Sequence, residues 1–236
     1  SELPKVIHEV NGIPMISKII KVLEILKPEE NILILGHKKE EVLKVVGEDA
    51  DYVVQTEQLG TGHAVLQAKD KLEDYDGDVM VLCGDTPLLR EETLKELYKF
   101  HKDTDSVTTI LTSIYDNPFG YGRIVKENGL VKAIVEEKEA DAEIKKIKEV
   151  NAGVYCFKGR ELFEALSKIT NNNEKGEYYL TDVIGIQVGE GKQVQSYVLS
   201  DNIEILGVSI QTVLATVLIL ITCIIGGATM GASSGG

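Results

Sequence analysis

Three groups of residues have the types and spacing that hold small phosphate- or hydroxyl-bearing ligands. The first is Gln55-Thr56-Glu57-Gln58-Leu59-Gly60-Thr61-Gly62-His63. Its glycines let the backbone approach a flat or anionic ligand, and Gln55 and Thr61 offer groups that read base edges or phosphate oxygens. The same string is equally a plain strand-to-helix turn with Thr61 as N-cap. It is neither a Walker loop nor a Rossmann glycine fingerprint.

The second group is Cys83-Gly84-Asp85-Thr86-Pro87. A carboxylate beside glycine can hold Mg²⁺, which takes one or two carboxylates together with waters and substrate phosphates. The alternative is Asp85 capping a turn. Gly84 and Pro87 fix it where a cap is not obviously needed, which favours the metal. The third group is Gly120-Tyr121-Gly122-Arg123, Glu136-Glu137-Lys138 and Asn151-Ala152-Gly153. Neutral amides and carboxylates of this kind suit the hydroxyls of a sugar, although each piece taken singly reads as a turn or a solvated face. His8, His37, His63 and His101 show no metal-ligand spacing and accompany no Ser or Cys nucleophile motif, so triad chemistry finds no support. His63, inside the glycine string, has a local hydrogen bond as its simplest role.

The elements that must position these groups alternate. Apolar runs at 31–36, 52–55, 78–84 and 107–111 predict buried strands, and amphipathic stretches at 38–46, 62–71 and 91–102 predict helices between them. That order predicts an α/β fold with a parallel sheet covered by helices on both faces, in which ligands sit at the carboxyl ends of strands. Beyond residue 115 shorter strands are predicted at 122–126, 130–135 and 153–157. Asn128-Gly129 is a hairpin signal between the first two. Helices at 160–169 and 179–188 and a strand at 193–199 follow.

The chain has 236 residues, 43% hydrophobic and 27% charged, with 38 acidic against 25 basic residues and a formal charge of −13. That is globular composition, and the charge repels a phosphate backbone, so no nucleic-acid partner is expected. Three cysteines are too few and too scattered for a disulfide framework, so a reducing cytoplasm is the expected compartment. The start of the chain has no signal-peptide character.

Read in order, Leu3-Pro4-Lys5-Val6, Asn11-Gly12-Ile13-Pro14-Met15, the Gln55–His63 string, Gly84-Asp85-Thr86-Pro87, Gly120–Ile124, Val135–Lys138, Asn151–Gly153 and Gly176-Glu177-Tyr178-Tyr179-Leu180-Thr181-Asp182 make a long collinear match. It resembles the uridylyltransferase domain of the bacterial bifunctional N-acetylglucosamine-1-phosphate uridylyltransferase/glucosamine-1-phosphate acetyltransferases. The resemblance covers 1–208 and implies a Rossmann-like nucleotide-diphospho-sugar transferase fold, which makes the sheet mixed but mainly parallel, flanked by helices. It also implies uridylyl transfer from UTP to N-acetylglucosamine-1-phosphate with Mg²⁺. Lys5 would face the phosphates. Gln55, Gly60 and Thr61 would hold the uracil, Gly84 would contact substrate, and Asp85 would ligate Mg²⁺. Gly122, Glu136 and Asn151 would hold the sugar. Another sugar-1-phosphate nucleotidyltransferase is the nearest rival, and a non-catalytic nucleotide-sugar-binding fragment is the rival of a different class.

Two departures are expected to impair activity. The family's first strand and glycine-rich loop have no counterpart ahead of Ser1, which would leave two neighbours in mid-sheet with unpaired edges. Ser209 stands where the family's second metal ligand is an asparagine. Hexapeptide repeats are absent, so acetyl transfer is not expected, and without a β-helix domain a monomer is. The segment 209–236 carries no charge and its role is open. Residues 208–228 approach the ~20 residues of a bilayer-spanning helix, the one route by which a membrane would be a partner. Their Val, Ile and Thr content suits a buried or aggregating strand equally well. A sequence scar, or a first strand transplanted to the end of the chain, are the other readings.

Overall fold

The computed structural model describes residues 3–47, 50–72, 74–84, 86–205 and 219–224. The chain opens with a 3-10 turn at Lys5–Ile7 and a small hairpin of β1 (Glu9–Val10) and β2 (Ile13–Pro14). Next come α1 (Met15–Leu23), β3 (Glu30–Leu35), α2 (Lys39–Val46) and β4 (Tyr52–Val54). The run continues through α3 (Thr61–Leu66), α4 (Lys69–Leu72), β5 (Asp78–Cys83), α5 (Glu91–Thr104) and β6 (Thr108–Ile114). Then follow β7 (Arg123–Glu127), β8 (Leu130–Val135), β9 (Glu149–Lys158), α6 (Gly159–Leu166), α7 (Asp182–Gly189), β10 (Val194–Val198) and β11 (Ile219–Ile224).

The main sheet has the order β10-β6-β9-β5-β11-β3-β4, with the β7–β8 hairpin joined to β9. β3, β4, β5, β6 and β10 run one way and β9 and β11 oppose them, so the mainly parallel α/β sheet expected from the sequence is present. Alternate side chains feed two cores. Ile32, Ile34, Val79, Val81, Tyr155 and Phe157 face α3, α6 and α7. Leu33, Leu35, Met80, Leu82, Val154 and Cys156 face α1, α2 and α5. The β7–β8 turn puts Asn128 at φ 52° and Gly129 at φ 80°, the left-handed pair that its sequence signals.

β11 sits in mid-sheet. It pairs with β3 from Ile219–Ile34 to Cys223–Glu30 and with β5 from Ile219–Cys83 to Ile224–Asp78, antiparallel to both. The unpaired edges expected on β3 and β5 are therefore absent. Ile221 and Cys223 enter one core and Ile224 the other. Thr222, also buried, donates to Asn31 Oδ1 at 2.8 Å. A transplanted first strand of a parallel sheet would keep its neighbours' direction, and β11 opposes it. The physical reason is that a run apolar on both sides fits the slot either way. Among the described residues no helix is long and apolar enough to cross a membrane. Ser209 and the rest of 206–218 and 225–236 lie outside the described residues.

Burial raises the Cys223 thiol to about 12, and its exposure is 1%, as for Cys156. In the folded chain a thiol reagent is expected to modify half-buried Cys83 first. Cys156 and Cys223 should follow together at the rate of unfolding. Labelling of Cys223 as fast as Cys83, read by mass spectrometry, would remove β11 from the sheet.

Candidate functional site

Gln55 directly follows β4, at the carboxyl end of that strand beside β3, its amide N–H donating to the Leu35 carbonyl at 2.8 Å. Its side chain is 2% exposed. The amide nitrogen donates to the Gly60 carbonyl at 3.1 Å and lies 3.0 Å from His63 Nδ1. Its Oε1 is buried and makes no hydrogen bond. Gly60 has φ 109°, and a Cβ there would lie 2.6 Å from the Tyr178 carbonyl oxygen, so glycine is required on both counts. Thr61 is the first residue of α3 and Gly60 its N-cap, with no side-chain cap bond. The Thr61 hydroxyl instead accepts the Leu180 N–H at 3.0 Å. This decides against the reading of Thr61 as a cap and leaves the hydroxyl proton available to donate. An open cavity of about 540 Å³ beside this cluster runs from Gly36, Lys38 and Lys39 to Gln55 and Gln58.

The second cluster gathers Gly122, Glu136 and Asn151. The Asn151 N–H donates to the Gly122 carbonyl at 2.9 Å. A Cβ on Gly122 would come within 3.0 Å of Ile134 and 3.5 Å of Glu136 Oε2. The Asn151 amide donates to the Tyr155 hydroxyl at 2.6 Å and accepts the Gly153 N–H at 3.0 Å, which leaves one donor and acceptor capacity for a ligand. Glu136 lines a cavity of about 460 Å³ with Phe119, Gly120, Lys138, Lys175 and Tyr179. Burial pushes the Glu136 carboxyl up, against the Thr181 hydroxyl that donates to it at 3.1 Å.

The clusters meet at Tyr178–Thr181. The Tyr178 N–H donates to Leu59 at 2.7 Å and the Tyr178 carbonyl accepts from Gly62 at 2.8 Å. Leu180 then reaches Thr61, and the adjacent Thr181 reaches Glu136. One contact was not read from the sequence. Arg123, 2% exposed, donates to Glu137 at 2.7 Å and to the Tyr121 carbonyl, and Glu137 also accepts the Gly120 N–H at 3.2 Å. The pair ties the Gly120–Gly122 turn to the end of β8. Its sequence signal is the Arg123 that follows the glycine turn. His63, expected to make a local hydrogen bond, does so: its Nδ1 lies 3.0 Å from the Gln55 amide nitrogen.

Lys5 and Gly84 line neither of these two cavities. Lys5 begins the first 3-10 turn, whose Val6 packs into the α1/α2 core. Gly84 follows β5, whose last residue, Cys83, lies 3.4 Å from a Cβ position on Gly153. Asp85 lies outside the described residues, as does Ser209. Among the described residues no group of three or more His, Cys, Asp or Glu is placed to hold a metal ion.

Residues 1–205 match the Nucleotidyl transferase family. The chain belongs to that family. Curated relatives from Streptococcus thermophilus and Streptococcus uberis, each described as bifunctional protein GlmU, are 48% and 47% identical over 92% of this chain. The chain spans about half, 47%, of the length of these relatives. A UDP-glucose pyrophosphorylase solved with UDP-glucose superposes at a TM-score of 0.60 and 20% identity, over 80% of each chain. A Bacillus anthracis protein described as a glucose-1-phosphate thymidylyltransferase reaches 0.65 at 16% identity, over 85% of this chain and 80% of its own. These two likenesses establish the nucleotidyltransferase fold.

A carboxyl raised in the folded state binds its proton more tightly there than in the unfolded chain. Stability from this group is therefore greatest at low pH and falls as pH rises from the unfolded value towards the folded one. Glu136→Gln keeps an acceptor for Thr181 and removes the buried charge. It is expected to melt higher than the wild type at pH 7, with the gap closing towards pH 4. Equal melting temperatures at pH 7 would mean that Glu136 is not desolvated.

Proposed function

We propose that the chain transfers a uridylyl group from UTP to N-acetylglucosamine-1-phosphate, releasing pyrophosphate. The observation that carries the reading is the junction at Leu180 and Thr181. Adjacent residues there touch the loop read as the base contact and the carboxylate read as the sugar contact. Relatives described as bifunctional protein GlmU support it. The catalytic unit is residues 1–208, acting as a monomer in a reducing cytoplasm. Cys83, Cys156 and Cys223 form no disulfide with one another.

In this reaction a phosphate oxygen of the sugar attacks the α-phosphorus in line. A P–O bond forms there as the bond to the β-phosphate breaks, and pyrophosphate leaves. No covalent enzyme intermediate is needed, so the protein supplies alignment and charge neutralisation. Gln55, Gly60 and Thr61 hold the uracil, and Gly122, Glu136 and Asn151 hold the sugar. Glu136, as a carboxylate, accepts from sugar hydroxyl or amide hydrogens, and Lys5 sits on the phosphates. Gly84 lets the backbone approach the substrate. Mg²⁺ is the cation this reading adds, with Asp85 as its ligand. Asp85 lies outside the described residues, and alignment by the two clusters stands without the cation.

Purified chain with a cooperative melt is expected to release pyrophosphate from UTP and N-acetylglucosamine-1-phosphate with Mg²⁺. UDP-N-acetylglucosamine should raise its melting temperature. Faster release with dTTP or glucose-1-phosphate would move the assignment to another sugar-1-phosphate nucleotidyltransferase. A melting shift without release would leave a nucleotide-sugar-binding chain. Absence of both release and melting shift would overturn the reading.

A further inference from the structure

We propose that His63 is a positioning residue that fixes the amide orientation of Gln55 and thereby sets the choice of uracil over cytosine. The inference rests on the uridine reading above. A side-chain amide turned by 180° exchanges its donor and acceptor faces at almost no steric cost, so a glutamine reads a base only if something fixes it. Here two acceptors do. The Gln55 NH₂ group has two hydrogens, one directed at the Gly60 carbonyl at 3.1 Å and one at His63 Nδ1 at 3.0 Å. Both donors are spent, and Oε1, buried and without a partner, is what Gln55 offers a ligand. A uracil ring attached through N1 has one hydrogen-bond donor, N3–H. Cytosine carries a lone pair at the same position. An acceptor-only Gln55 thus pairs with uracil and opposes cytosine lone pair to lone pair. Because Oε1 is shielded from solvent, the base reaches it with a local shift of its surroundings.

The ring of His63 must then accept at Nδ1, which places the proton of the neutral imidazole on Nε2. The Gln67 amide nitrogen lies 3.3 Å from Nε2 but already donates to the His63 carbonyl at 2.9 Å. Only one nitrogen of a neutral imidazole accepts. The shorter contact, made by the more buried amide, takes it. The Gly60 carbonyl alone holds one hydrogen of the amide. His63 supplies the second restraint, and without it the reversed orientation is opposed on one side only.

The test is equilibrium binding of UTP and CTP, which reads the base site independently of turnover. Folded wild-type chain is expected to prefer UTP by at least about tenfold, the scale of one mismatched buried hydrogen bond. His63→Phe should lose most of that preference, mainly through weaker UTP binding. His63→Asn, whose Oδ1 can occupy the Nδ1 position, should recover it. Unchanged preference in His63→Phe, or no recovery in a folded His63→Asn, would overturn the inference while leaving the uridine reading intact. A wild type that prefers neither nucleotide overturns both. If the Phe variant does not fold, ¹⁵N-histidine NMR of the wild type with UTP decides. The His63 resonances, assigned by their loss in His63→Asn, should show the Nε2–H tautomer, and an Nδ1–H tautomer would overturn the proposal.

Discussion

The close approach of two backbones at Gly60 is the constraint on which the site depends. A side chain at that position would collide with the carbonyl of Tyr178, so the loop after β4 and the segment before α7 lie against each other only because glycine is there. Once they do, backbone donors and acceptors pair across the seam in both directions. Residues 178–181 become a fixed strut. It holds the start of α3 on one side and the carboxylate of Glu136 on the other. Neither cluster hangs on the other through a long flexible connection, which is the requirement for aligning two substrates within a few tenths of an ångström.

The two halves of the site use different physics. Around Gln55 the chain presents a buried, orientation-fixed amide, where recognition is a matter of donor and acceptor identity. Around Glu136 it presents a cavity with a desolvated carboxylate and with Lys138 and Lys175 in the same lining. There burial makes the charge costly and its hydrogen bonds correspondingly strong. The Arg123–Glu137 pair, its arginine buried and its carboxylate partly exposed, belongs to the second half as scaffold. It holds the glycine turn while its own charges stay compensated.

Much of this was legible in the sequence. The alternation of apolar runs and amphipathic stretches marked β3 through β6 with α2, α3 and α5 between them, because both periodicities are local properties. Asn128-Gly129 marked its hairpin for the same reason. The strings around Gly60 and Gly176–Asp182 each stood out, but their contact did not, since it joins residues more than a hundred positions apart. α1 went unmarked because its start signals are weak: Pro14 precedes it, with no side-chain cap and no acid in the first turn. α7 starts at Asp182 rather than at 179, because Tyr178–Thr181 are spent on the strut. The direction of β11 was unreadable in principle, as an evenly apolar strand carries no mark of which end faces the ligands.

That same strand fixes an order of events in folding. Thr222 bonds to Asn31 across 191 positions, and the strands on either side of β11 precede it by well over a hundred residues. While the chain is being made, β3 and β5 must wait side by side without their shared neighbour until residue 224 has left the ribosome. Contacts of such long range are slow to form, and two waiting edges are sites for pairing with other chains. Completing this sheet is then an insertion into its middle, a topology that requires late closure rather than growth from one end.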